Sequence, residues 1–341
     1  MIYKHLVPII ETFNPCIFLP SAFIMLITGE LYRRNKFDFK IEIVELRDGG
    51  KIEIEWHYAD NKEAPVVVFS PGICGTSNGN YTNDCCKMVN DKGWNFVIVN
   101  RRGFGKSKLY SSTFIPYDEC KDIKEVIDYI QQQKANSNLY LLGVSAGANL
   151  FTNYLGKHPN ENRIKAFVSI SNPFNIGRVV NRMENSLMGR VYSWLLARNL
   201  KKMYIRHNQN EHFVNLLEQR QLNVERLKES LKGLNSVWQI DKTITKQFGD
   251  FDTIYDYYYN NTSEYVIEHV TTPSLLINNK EDPICAKEFV PIERINRNKN
   301  LILLITDRGG HVEYLSGWKM EWWGFKMALS YFDYFQENDE L

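Results

Sequence analysis

The segment LYLLGVSAGANL, residues 139–150, constrains this chain more than any other, because an apolar run passes into a helical pattern with only a five-residue turn between them. A run as short and apolar as residues 139–142 reads as a strand buried on both faces, and residues 148–155 read as the opening of an amphipathic helix. The turn is Gly143-Val144-Ser145-Ala146-Gly147. A serine on so sharp a strand-to-helix turn is held in a strained backbone conformation with its hydroxyl exposed, and glycines two positions to either side let neighbouring backbone approach. Taken alone, the five residues also fit a tight turn that happens to contain serine.

The same strand-and-helix alternation runs along most of the chain. Residues 41–46 and 52–58 flank Asp48-Gly49-Gly50 and read as a hairpin. Short β-branched or aromatic runs at 65–70, 96–100, 139–142 and 166–170 read as buried parallel strands, with helices expected over 83–92, 117–133 and 148–158. Right-handed crossovers and a parallel sheet covered on both faces follow from that order. The alternation stops at Pro173 and resumes at Pro273. Between them, residues 174–261 are helical in character, with scattered aromatics such as Trp194, Tyr204, Phe213 and Trp238. Strands at 274–278 and 301–306 and a helix over 320–335 close the pattern. The expected organisation is an N-terminal segment, 1–39, packing on a core of 40–173 and 262–341, with an insertion at 174–261.

A nucleophilic Ser145 needs a base, and the base needs an orienting carboxylate. In open α/β sheets the working residues gather beyond the carboxyl ends of strands, and both partners occur there. Asp282 follows strand 274–278 in Asn279-Lys280-Glu281-Asp282-Pro283, and His311 follows strand 301–306 in Asp307-Arg308-Gly309-Gly310-His311. The chain order serine, acid, histidine is the one expected of a nucleophile elbow on an α/β sheet. Two other acids compete with Asp282. Glu281 would point elsewhere on an extended loop, and Asp307 ranks second because it could help to position the histidine loop. His5, His57, His158, His207, His212 and His269 lack a strand-end placement. Acyl transfer also needs backbone donors for an oxyanion, and Ala146 and Ile73, the latter in Ser70-Pro71-Gly72-Ile73-Cys74-Gly75-Thr76-Ser77, are the expected pair. Arg101-Arg102-Gly103-Phe104-Gly105 lacks the third glycine of a dinucleotide fingerprint.

Composition bounds the remaining classes. The 341 residues carry a formal net charge of +1, which gives no sign of a nucleic-acid partner. Six cysteines show neither CxxC nor zinc spacing, so reduced thiols and a cytoplasmic setting are the default. The apolar stretch 16–27 is interrupted by Pro20 and Ser21 and falls short of a spanning helix; packing on the domain is expected. The tail Asn338-Asp339-Glu340-Leu341 only faintly matches an ER-retention signal. No metal and no organic cofactor are expected.

On these motifs the chain resembles the α/β-hydrolase superfamily, and within it AB hydrolase family 4, which includes bacterial esterase-like members and eukaryotic proteins that act on lipid esters. The likeness covers residues 14–335. It rests on the Pro71–Ser77 loop, Asn100-Arg101-Arg102-Gly103, Gly143-Val144-Ser145-Ala146-Gly147, Asp256-Tyr257-Tyr258, Glu281-Asp282-Pro283 and Arg308-Gly309-Gly310-His311-Val312. The resemblance implies an α/β-hydrolase fold: a mostly parallel eight-stranded sheet with helices on both faces and a helical lid at 174–261. It also implies Ser145, Asp282 and His311 as nucleophile, acid and base of a serine ester hydrolase for lipid or other hydrophobic esters. An acyltransferase would use the same acyl-enzyme, and a lipid-binding module could keep the fold without turnover. Within the lid, Trp194 and Tyr204 are expected to line an acyl channel. Arg178, Arg182, Arg190, Arg198, Lys201, Lys202 and Arg206 face a single acid, Glu184, over that stretch, and would serve a peripheral contact with anionic headgroups or simply form a solvated helix face.

Overall fold

The computed structural model describes residues 12–16, 19, 24–25, 35–111, 113–115, 119–249 and 251–338. Most of the 1–39 segment, much of the apolar stretch 16–27, the start of the helix expected over 117–133 and the last three residues of the chain lie outside the described residues. Of the segment that is described, Cys16, Leu19 and Met25 are buried in the core.

Eight strands form one sheet: β1 (Lys40–Glu45), β2 (Lys51–His57), β3 (Val66–Ser70), β4 (Asn95–Val99), β5 (Leu139–Val144), β6 (Ile164–Ile170), β7 (Ser274–Asn279) and β8 (Leu301–Thr306). Their order is β1-β2-β4-β3-β5-β6-β7-β8, and only β2 runs against the others. Every residue of β3, β4 and β5 is buried, which explains why these strands read as continuous apolar runs rather than alternating ones. Alternation survives in the destination of the side chains. Val67, Phe69, Tyr140 and Leu142 enter one core layer, while Val66, Val68, Leu139 and Leu141 enter the other. The first layer is closed by α1 (Asn80–Asn90) and the C-terminal helix, the second by α2 (Glu119–Gln133) and α3 (Ala146–Lys157). Burying each large apolar side chain contributes about 1.5–3 kcal/mol, so the two layers hold the sheet from both sides.

The strand order reverses beside β3. The chain leaves β3 for β4 on one side and returns to β5 on the other, so the crevice beyond their carboxyl ends is a topological switch point. In the β3–β5 pairing Ser70 lies opposite Gly143. That register sets the loop after Ser70 against the turn that carries Ser145.

Between β6 and β7 the chain builds α4 (Ile176–Asn185), α5 (Leu187–Arg206), α6 (Glu211–Gln219), α7 (Val224–Lys232), the short turn Val237–Ile240 running into a π-turn at Asp241–Thr245, and α8 (Ile254–Asn261). Each start carries a side-chain cap. Asn175, Ser186, Asn210, Asn223, Ser236 and Thr253 accept the backbone N–H three residues on, and Thr253 with Asp256 closes a capping box. Such caps stabilise a helix by about 1 kcal/mol each. The insertion has its own apolar cluster. Several contacts fix it to the core, among them the Asn210 amide, which donates to the Leu109 carbonyl at 2.9 Å. Arg206 donates to the carbonyls of Gly103, Gly105 and Ser107, and the amides of Asn149 and Asn153 both donate to the Asn261 carbonyl, at 2.6 and 2.9 Å.

The helix expected over 320–335 begins later, as α9 (Trp323–Glu337). Its first residues instead pair Leu315–Ser316 with Glu321–Trp322 in a two-stranded ribbon, and Met320 turns with φ +50°. Among the described residues no helix is long and apolar enough to cross a membrane.

Candidate active site

Ser145 lies between β5 and α3 with φ 53° and ψ −117°. A positive φ costs a non-glycine residue of order 1–3 kcal/mol and persists only where the surroundings over-determine it. Here they do. The Ser145 N–H donates to the Ile170 carbonyl of β6 at 2.8 Å, and the glycines on either side permit contacts that no side chain would. A Cβ on Gly143 would lie 2.6 Å from the Ala148 Cα, and one on Gly147 would lie 2.5 Å from the Ser70 carbonyl carbon. The spacing of small residues around the serine is therefore a packing requirement of the turn.

The loops after β7 and β8 bring two side chains to this serine. His311 Nε2 lies 2.7 Å from Ser145 Oγ, and His311 Nδ1 lies 2.9 and 3.1 Å from the two oxygens of Asp282. An ionised carboxylate can only accept, so Nδ1 carries the proton and Nε2 accepts from the serine hydroxyl. Asp282 is itself oriented, since Oδ1 accepts the N–H groups of Ile284 and Cys285, both at 2.8 Å. Both Asp282 and His311 are buried. Burial alone would lower the His311 pKa, but the charge and hydrogen bond of Asp282, assisted by Glu313, hold it above its ordinary value of 6.5. The rival acids lie elsewhere. Glu281 is exposed, and Asp307 pairs with Lys280 at 2.5 Å on the surface.

Asp282, Cys285 and His311 place their donor atoms within 4.8 Å of one another. The Cys285 thiol donates to the Ser171 carbonyl at 3.3 Å, and burial together with the Asp282 charge pushes its pKa far up. It is a protonated thiol rather than a ready metal ligand.

Ile73 and Ala146 both line the cavity into which Ser145 opens. Among the described residues neither of their N–H groups donates to another group. The neighbouring donor on the same loop, the Gly72 N–H, is taken by the Tyr81 hydroxyl at 3.2 Å. Gly72 also brings the loop close to the serine, since a Cβ there would sit 3.8 Å from Ser145 Oγ. Ala146 is the first residue of α3, so its N–H points out of a helix N-terminus, where partial positive charge accumulates.

The cavity has a volume of about 390 Å³ and is mostly apolar, with the insertion supplying Val179, Val180, Met183, Leu195 and Leu196. That size is within the range of roughly 300–1,000 Å³ that holds a small organic ligand. The two aromatics expected to line it do not. Trp194 lies on the outer side of α5, 43% exposed and 5.1 Å from the Arg198 guanidinium, and Tyr204 is buried in the insertion's own cluster, sharing a hydrogen bond with Thr245 at 3.1 Å. The reason is helical phase. The cavity face of α5 is Tyr192, Leu195, Leu196 and Asn199, a three-and-four spacing from which Trp194 is turned away.

The basic stretch is also divided by the fold. Arg182 pairs with Glu288 at 2.8 Å, Arg178 lies 4.0 Å from Glu264, and Arg206 turns inward onto the carbonyls described above. Arg190, Arg198, Lys201 and Lys202 remain along α5.

Four charged residues of the cavity wall, Arg101, Glu119, Asp241 and Glu313, were not foreseen. Arg101 lies 3.4 Å from Glu119 and under the ring of Phe104. Asp241, in the π-turn, accepts from Thr245 and Tyr258 at 2.8 and 3.0 Å, and burial pushes its carboxyl up to about 6. Glu313 is 3% exposed and stands two residues beyond His311. Glu313 sits in a tight bend, where the Gly310 N–H donates to its carbonyl at 3.0 Å, so no strand periodicity marked it.

The profile of the alpha/beta hydrolase fold matches residues 65–316. Among similar proteins are embryogenesis-associated protein EMB8 of Picea glauca, 27% identical over 87% of this chain and 66% of its own length, and phospholipase ABHD3 of Bos taurus, 26% identical over 82% and 67%. Monoacylglycerol lipase of Saccharomyces cerevisiae is 27% identical over 74% of this chain and 55% of its own length. The chain thus spans about two thirds or less of each of these relatives. Among solved structures, the Pyrococcus furiosus esterase Pf2001 superposes with a TM-score of 0.56 at 16% identity, over 96% of this chain and 98% of its own. Fold, strand-end loops and family profile agree, and the chain belongs to the alpha/beta hydrolase fold family.

Proposed function

We propose that this protein is a serine carboxylic-ester hydrolase for hydrophobic, lipid-type esters. The observation that carries the reading is the continuous hydrogen-bonded series Asp282, His311, Ser145 at the end of an apolar cavity. Relatives named as a phospholipase and a monoacylglycerol lipase support the substrate class. In this reading Ser145 Oγ attacks the ester carbonyl while His311 Nε2 takes its proton, and Asp282 holds the imidazole and stabilises the imidazolium. The Ile73 and Ala146 N–H groups receive the oxyanion. The imidazolium returns the proton to the leaving alcohol, and water then cleaves the acyl-enzyme by the same route in reverse. A fluorophosphonate probe tests it. One adduct per chain on Ser145 is expected, followed by turnover of ester substrates, and a folded protein that takes up no probe would refute the reading.

The pH profile follows from the raised His311 pKa. Only the neutral imidazole accepts the serine proton, so kcat/KM is expected to fall as pH drops through a midpoint above 6.5, the ordinary histidine value. A flat profile from pH 5 to 8 would exclude His311 as the base.

The same reading makes the insertion a lid, with α5 as its partition. One face of α5 lines the cavity, while Leu187, Met188, Val191 and Trp194 are exposed on its outer side, next to Arg190, Arg198, Lys201 and Lys202. The helix contains no acid. Apolar side chains flanked by cations suit the interface of an anionic bilayer, where each Lys or Arg contributes about 1 kcal/mol. Reversing Lys201 and Lys202 to glutamate is expected to weaken binding to phosphatidylserine vesicles about tenfold or more, as read by flotation. Equal flotation of the two proteins would remove the membrane contact from the proposal.

A further inference from the structure

The loop that carries the Ile73 donor is held from two sides. Its root presses on the start of α3, where a Cβ on Gly147 would lie 2.7 Å from the Pro71 carbonyl oxygen. Its tip is a tight turn in which the Gly75 N–H donates to the Gly72 carbonyl at 2.8 Å, with Cys74 at φ 60°. That backbone conformation suits glycine and is disfavoured for cysteine, so something outside the turn has to hold it. The tip meets α1. Tyr81, in the first turn of that helix, accepts the Gly72 N–H on its hydroxyl at 3.2 Å, and a Cβ on Gly75 would fall 2.5 Å from the same oxygen. The hydroxyl thus occupies the hollow between the two glycines of the turn. Its ring packs against Phe69 of β3, with centroids 6.3 Å apart, and farther along the loop the Asn83 amide donates to the Ser77 carbonyl at 2.7 Å.

We propose that Tyr81 is a positioning residue of this site, whose hydroxyl pins the strained turn so that the Ile73 N–H stays aimed at the oxyanion formed when Ser145 attacks. This rests on the hydrolase reading above. The Ile73 N–H shares a peptide unit with the Gly72 carbonyl, and no peptide bond among the described residues is cis. In a trans unit the carbonyl and the N–H point in opposite directions. The Gly75 bond holds the carbonyl inside the turn, so the Ile73 N–H points out of it. Tyr81 fixes the other side of Gly72 through that residue's own N–H. With both polar groups of Gly72 engaged, the plane that carries the Ile73 donor keeps one orientation. Gly72 also sets that plane against the nucleophile, since a Cβ there would lie 3.4 Å from the Ser145 Cβ. An oxyanion donor is effective because it is fixed before charge develops and needs no reorganisation during the reaction. Tyr81 therefore acts on the transition state through Ile73.

Tyr81→Phe in the full chain tests it, because the ring stays and only the hydroxyl goes. On a short-chain ester, kcat is expected to fall about ten- to hundredfold with KM within about twofold, as befits an interaction realised in the transition state. Adding Cys74→Gly to Tyr81→Phe should recover about fivefold or more of that loss, because glycine holds a positive φ without outside help. An unchanged kcat, a loss carried by KM, or a double variant no faster than the single one would overturn the proposal, since a hydroxyl that only packs gives no such rescue. Amide exchange in protein labelled at glycine supplies a readout free of chemistry. The Gly75 N–H is expected to exchange about tenfold faster in Tyr81→Phe than in the wild type, and equal rates would also overturn the proposal. A wild type that neither turns over esters nor takes up the probe on Ser145 refutes the hydrolase reading, and the exchange rates then decide by themselves whether Tyr81 holds the turn.

Discussion

Replacing Ser145 by alanine is expected to lower kcat on a short-chain ester by roughly a million-fold and to abolish the fluorophosphonate adduct, while the thermal unfolding midpoint stays close to that of the wild type. The size of the loss follows from the geometry. The hydroxyl is the only atom of residue 145 removed, the turn still needs a residue at φ 53°, and the glycines and the Ile170 carbonyl that hold the turn are untouched. What disappears is the atom 2.7 Å from His311 Nε2. A residual rate within about a hundredfold of the wild type would mean that another nucleophile works in the cavity.

Asp282→Asn should be the second most damaging change, lowering kcat by about ten-thousandfold, with Glu281→Gln and Asp307→Asn near wild type. An asparagine fills the same space, but its amide cannot reproduce a charge that faces Nδ1 from 2.9 Å. Where its NH₂ faces Nδ1, it turns the imidazole to the wrong tautomer. The raised His311 pKa should relax downward in the same variant, so the acid limb of any residual activity moves to lower pH. Asp307 is a separate matter, since its partner is Lys280 on the surface, where solvent screens such a pair. A large loss in Asp307→Asn with a mild one in Asp282→Asn would reverse the assignment.

How much of this was readable in the sequence depended on whether a feature was local. The parallel strands announced themselves as short apolar runs because both faces of the sheet are covered, and residues such as Val66 to Phe69 have no solvent side to advertise. Ser145, Asp282 and His311 were readable because each lies in the loop that follows a strand, and the carboxyl ends of parallel strands in one sheet meet at one edge. The insertion was readable as helical; its caps, such as Asn175 and Ser186, emerged only in the structure. Its interior was not readable either. Trp194 and Tyr204 are large and apolar in the right helix, yet a rotation of about 100° per residue decides whether a side chain meets the cavity, solvent or the insertion's own core. That rotation is set by packing against other helices. Arg101, Glu119 and Asp241 were invisible for a related reason, as they come together in the cavity wall from segments far apart in sequence.

The two asparagine amides that share the Asn261 carbonyl have a consequence for how such a protein can change over time. Asn149 and Asn153 belong to the helix that follows Ser145, and Asn261 ends the last helix of the insertion. The end of the insertion and the helix that follows Ser145 are thus bolted to each other. A different cover could be exchanged onto this core only if its final residue delivered a carbonyl to the same place. It would also have to keep a clasp midway, where Arg206 donates to the carbonyls of Gly103, Gly105 and Ser107. The fold thus confines its plasticity to the stretches between these fittings.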